Sequence, residues 1–144
     1  SAMWADSLLL AEQHHLLRLF IWSEASLLVG GGMLAILLWR RIDSPMLRHF
    51  AIQTAAWGAV ILAIAFFAWS RLELRDHAAA VSLDRFVWLN IGLDIGYAAV
   101  GVTLVLTGML GARRPGLAGA GAAVVLQGMA LAWLDYLLAQ QILR

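Results

Sequence analysis

The chain has no cysteine and no lysine, only two prolines, and charged residues at just 13% of its 144 positions. Without cysteine, disulfides, thiolate nucleophiles, Cys-ligated zinc and iron–sulfur clusters are all excluded. So little charge, beside 62% hydrophobic residues and a mean hydropathy of +0.82, excludes a water-soluble core. Soluble domains have about 45–50% apolar and about 25% charged residues. A net charge of +1 offers no electrostatic footprint for nucleic acid, which is not expected as a partner. All ten basic residues are arginine. The fork of the guanidinium suits phosphate and carboxylate, but beside so much alanine, leucine and glycine the bias is better read as genomic.

What is present is long apolar runs. Stretches of about 20 such residues, each able to cross a bilayer core about 30 Å thick, recur four times. The expected fold is all-α: a single domain, 1–144, forming a four-helix transmembrane bundle of up-down topology. Helix 1 is expected over about 7–40, opening at Asp6 or Ser7. Its first part carries Glu12, Gln13, His14, His15 and Arg18 and suits the headgroup zone, leaving about 19–39 to span. This run is long and lacks a cleavage pattern, so it is expected to persist rather than be removed as a signal peptide. Ser44 and Pro45 form a cap and first-turn pair for helix 2, about 45–70. Residues 71–85 are polar but keep good helix formers, and read as an interfacial helix or helix extension. Helix 3 is expected over about 86–110, stopping at Gly111. After the turn Arg113-Arg114-Pro115-Gly116, helix 4 covers about 116–141. Tight connections make sequential helices antiparallel neighbours.

Five arginines fall on each side of such a bundle. Their density in the short loops, Arg40, Arg41 and Arg48 with Arg113 and Arg114, favours both termini outside the cytoplasm by the positive-inside rule.

Three carboxylates lie inside spans, where each costs about 2.5–3.5 kcal/mol on insertion scales for an Asp near the centre. Glu24 is early in helix 1, Asp94 early in helix 3 and Asp135 late in helix 4, so antiparallel alternation puts them in one layer. On helix 3, Asn90, Asp94, Tyr97 and Gly101 follow at spacings of four, three and four, on one stripe. Gln127 and Asp135 on helix 4 differ by about 80° and can border one cavity. Trp22, Trp88, Trp133 and Tyr136 share the depth, either as an interfacial aromatic belt or, for Trp22 and Trp133, as part of the site.

Two readings of this layer compete. In one, the acids form a buried hydrogen-bond lattice that locks the helices. In the other, Glu24, Asn90, Asp94, Tyr97, Gln127, Asp135, Trp22 and Trp133 border a pocket that waits for a counterion, since like charges close together cannot all ionise. Arg18 and Arg85 lie near enough to pair with the acids. No metal site is expected: His14 and His15 point about 100° apart, and no HExxH spacing occurs. Nor is a cofactor. Gly92 and Gly96 make a GxxxG on helix 3, and Gly30, Gly31, Gly32 and Gly58 suit close helix packing.

Helices 3 and 4 resemble an uncharacterised bacterial family of small four-helix membrane proteins, a domain of unknown function. The likeness rests on Asn90-Ile91-Gly92-Leu93-Asp94-Ile95-Gly96-Tyr97 and, downstream, on Gly119, Gly121, Gln127-Gly128 and Asp135, with a looser match around Trp57. It implies that Asn90, Asp94, Tyr97, Gln127 and Asp135 act together. The family pattern has an Asn soon after the helix 2 tryptophan, where this chain has Gly58 and Ile61, and an apolar residue in the place of Glu24.

The expectation is an integral protein of a bacterial inner membrane whose carboxylate-containing pocket, near the face carrying both termini, binds or transports a lipid-like, cationic or protic ligand. A structural or assembly subunit, whose acids only lock the helices, is the alternative. An intramembrane enzyme on a lipid-like substrate, with Asp94 and Asp135 as acid and base, ranks below both. Expected partners are membrane lipid, a lipid-like or cationic small molecule, and a second copy joined through Gly92 and Gly96.

Overall fold

The computed structural model describes residues 3–111 and 113–142; Arg144, one of the arginines counted above, lies outside them. Four helices, α1 (Met3–Trp39), α2 (Pro45–Ser70), α3 (His77–Leu106) and α4 (Pro115–Ala139), account for nearly all of the described chain. Each is long and apolar enough to cross a membrane, consistent with an integral membrane protein.

Local chemistry sets the helix ends. The Ser44 hydroxyl accepts the Leu47 N–H and Pro45 occupies the first turn, so α2 starts where the sequence places it. Asp76 caps α3 by accepting the Ala79 N–H at 2.8 Å. The polar stretch 71–85 therefore divides: a short irregular connection runs to Asp76, and the rest is the first turns of α3 itself. At the N-terminus α1 already begins at Met3, so neither Asp6 nor Ser7 is its cap. Helix α3 closes in a widened π turn, Thr107–Gly111. Its reversal is made by Arg113, at φ 49°, rather than by Gly111, just as Arg41, at φ 51°, follows α1.

The antiparallel order is fixed by two apolar clusters. Leu8 and Ala11 at the start of α1 meet Ala80, Val87 and Ile91 in the first half of α3, Leu138 and Ala139 at the end of α4, and Ile142 just beyond it. Leu16 and Leu19 meet Ile61 and Ala65, with Leu131 and Leu134 of α4 packed alongside. The start of α1, the start of α3 and the end of α4 therefore share one face with the Arg71–Asp76 connection.

Glycines open the tight seams. Gly30 and Gly58 let α1 and α2 approach, Gly101, Gly121 and Gly128 do so for α3 and α4, and Gly119 abuts the Met46 carbonyl at the α2–α4 seam. Gly31, Gly32, Gly92 and Gly96 have no neighbour where a Cβ would stand, so they serve no packing inside the bundle.

Sequential helices are neighbours in two cases of three. Helices α2 and α3 make no backbone contact, and α2 packs on α1 and α4 instead. The cause is side-chain size: α2 turns Trp57, Val60, Ile64 and Phe67 toward α3 and offers no glycine there. Helices meet closely only where small residues line the seam.

Candidate functional site

The separation of α2 from α3 leaves a cleft of about 800 Å³. Its α2 wall is apolar, built of Val60, Ile61, Ile64 and Phe67, and runs from Trp57 to Arg71, about 21 Å by helical rise. Trp57 and Tyr97 meet edge to face at one end, with ring centroids 5.3 Å apart. The opposite wall is mixed. Glu12 and His15 come from α1, Asn90 and Asp94 from α3, Asp135 from α4, and Arg75 from the connection.

Helical spacing explains each presentation. Glu12, His15, Leu16 and Leu19 fall at i, i+3, i+4 and i+7, one stripe of α1. Asn90, Asp94 and Tyr97 hold to the expected stripe of α3 and all face the cleft.

Within this wall the polar groups pair unevenly. Arg75 grips Glu12 with its Nε 3.0 Å from each carboxylate oxygen and an Nη at 2.9 Å, a geometry that satisfies both charges. His15 Nε2 stands 3.3 Å from Asp135 Oδ1. Asp94 lies within hydrogen-bonding reach of Asp135. Asp94 is only 8% exposed, and its Oδ2 meets no N–H or O–H donor; His15, 6% exposed, likewise has no partner at Nδ1.

The structure thus brings together Asn90, Asp94, Tyr97 and Asp135 and separates the other four residues expected with them. Gln127, 1% exposed, sits in a second polar cluster between α4 and α1. It accepts the Trp22 indole N–H at 2.8 Å and donates to the Ser26 hydroxyl at 3.1 Å, and neither Gln127 nor Trp22 lines the cleft. Glu24 is exposed on the outer side of α1, because the inward positions of this turn are Ser23 and Ser26. Trp133 is 60% exposed and stacks outside the bundle with Tyr136, itself in contact with Trp88. That trio has the position of an interfacial aromatic belt.

Glu12, His15 and Arg75 were not expected at the site. The signal for Glu12 and His15 was the i, i+3, i+4, i+7 stripe on α1, hidden by reading the same stretch as headgroup zone. Among the described residues no three His, Asp or Glu side chains are grouped closely enough to hold a metal ion.

Fold and site together define a small bundle of four helices able to cross a membrane, with a cleft whose walls are mixed on one side and apolar on the other. The chain belongs to the family of unknown function DUF6992, matched over residues 18–136. The match takes in parts of all four helices, more than the α3 and α4 motifs that carried the resemblance, and begins beyond Glu12 and His15. No curated protein and no solved structure matches the chain.

Proposed function

We propose that the cleft between α2 and α3 takes a lipid-like amphiphile, its chain along the α2 wall and its polar group against Asp94, Asp135 and His15. One observation carries this reading: consecutive helices stand apart over an opening of about 800 Å³ that has buried carboxyl groups on one wall and bare aliphatic side chains on the other. Ligand sites are concave, largely apolar and supplied with a few convergent polar groups, which is the composition of this cleft. A gap between helices opens sideways, so entry from the bilayer needs no aqueous path.

Co-purified lipid, identified by native mass spectrometry of the protein released from mild detergent, tests the proposal. The parent should retain lipid in a defined ratio, and Val60→Trp with Ile64→Trp, which fill the apolar wall, should lose it while remaining folded. Equal retention by parent and filled variant overturns the reading.

The Trp22–Gln127–Ser26 cluster favours a second role for part of the buried polarity. Those groups satisfy one another and hold α1 to α4, as they would in a structural or assembly subunit.

A further inference from the structure

We propose that the polar group held by this cleft is a cation bearing N–H donors, such as a primary ammonium, rather than a quaternary ammonium or an anion. The inference rests on reading the cleft as an amphiphile site and adds the chemistry of the head.

Glu12 and Arg75 neutralise each other through three contacts of 2.9–3.0 Å, so neither is free to serve the acids beyond them. Arg71 lies over the Phe67 ring at 4.9 Å and is exposed. Among the described residues no arginine pairs with Asp94 or Asp135; the one basic partner is His15, 3.3 Å from Asp135. Two carboxyl groups within reach of one another therefore face at most one cation, whichever state the imidazole holds. At least one of them needs a proton or a further positive charge.

Hydrogen bonding narrows the choice. When His15 is neutral and donates through Nε2 to Asp135, its Nδ1 offers a lone pair, and Asp94 Oδ2 is a second acceptor without a donor. Both residues line the cleft and are more than nine-tenths buried. Two unfilled acceptors beside uncompensated negative charge call for a positive group with several N–H bonds. A primary ammonium supplies three donors and the charge. A trimethylated ammonium supplies the charge and no donor, leaving both acceptors unpaired. An anionic head adds to the excess.

The test compares dodecylamine, dodecyltrimethylammonium and the uncharged dodecanol by calorimetric titration of the full chain in an amine-free detergent. Dodecylamine should bind at least about tenfold tighter than the trimethylated probe, the discrimination expected when a buried acceptor is filled or left empty. That preference is measured on the parent and needs no variant. Asp94→Asn and Asp135→Asn, each checked for an unchanged far-UV spectrum and melting profile, should abolish it, and Glu24→Gln, on the outer surface, should leave it whole. The source of the amine is read in a second arm. Enrichment of phosphatidylethanolamine over phosphatidylcholine from mixed nanodiscs identifies a lipid head, and dodecylamine preference without that enrichment identifies a free amphiphilic amine. Either result upholds the proposal.

Equal affinity for the two charged probes, or a preference that survives in both Asp variants, overturns the N–H cation while the cleft reading stands. Loss of binding for all three probes, dodecanol included, sinks the cleft reading with it.

Discussion

Trp57 of α2 and Tyr97 of α3 touch edge to face at 5.3 Å, across the one pair of consecutive helices whose backbones do not meet. Edge-to-face pairs contribute about 0.5–1.5 kcal/mol beyond their buried area. A double-mutant cycle of Trp57→Ala and Tyr97→Ala, followed by denaturant unfolding in mixed micelles, should show coupling in that range. Tyr97→Phe keeps the ring and should keep most of it. Independent, additive losses would mean that the rings merely sit side by side.

The Gln127 side chain offers a sharper contrast, because it is buried, bonded at both ends and outside the cleft. Gln127→Leu leaves the Trp22 indole N–H and the Ser26 hydroxyl without their partner. Interhelical hydrogen bonds in membranes average about 0.6 kcal/mol, and a buried group left unsatisfied costs about 1–3 kcal/mol. With two groups stranded, a loss of about 1–2 kcal/mol is expected, and amphiphile affinity should not move. A variant that stays stable but loses dodecylamine binding would return Gln127 to the site.

These residues also show what the sequence could reveal. Spans were legible because lipid demands long apolar runs, and antiparallel alternation placed Asp94 and Asp135 at one depth. Rotation about each helix axis was not. In lipid both faces of a helix are apolar, so the period that orients a soluble helix is largely lost. Depth therefore placed Glu24 in the acid layer, whereas the true partner from α1 is His15, nine positions earlier and on another face. The α2–α4 seam was hidden for another reason. Which helices touch depends on where small and large side chains confront each other, and that needs both faces at once.

Glycines on the two sides of α3 should respond in opposite ways. A Cβ on Gly101 would stand 2.7 Å from the Val125 backbone nitrogen and 2.8 Å from the Gly121 carbonyl, so backbone has to move. Overpacking of this kind costs about 1–3 kcal/mol, and Gly101→Ala should lose that much. Gly92 has open space, so Gly92→Ala should gain up to about 1 kcal/mol from helix propensity. The outer Gly92 and Gly96 face is also where a second copy was expected to dock. Cross-linking in liposomes tests this: a dimer in the parent that Gly92→Leu abolishes supports the seam, and an unchanged pattern removes it.

The ion pair at the mouth of the cleft gives the last prediction. Glu12, in α1, is 8% exposed at its side chain and Arg75, in the connection before α3, is 29% exposed. Removing one member of a fully buried pair costs about 3–5 kcal/mol because the survivor keeps its desolvation without its partner. The partial exposure of Arg75 lowers this, so Arg75→Gln, which strands the more buried Glu12, should cost about 2–3 kcal/mol. Glu12→Gln strands the more accessible member, whose guanidinium can reach water, and should cost less. The double variant, with two amides of similar size, should recover most of the loss, since it buries no net charge. The same contacts tie the connection to α1 next to Asp76, the residue that caps α3. Amide exchange through 71–79 should therefore quicken in Arg75→Gln and fall back in the double variant. Additive single costs, with no recovery when both are combined, would mean that the pair does not act as a unit and that the connection is held by α3 alone.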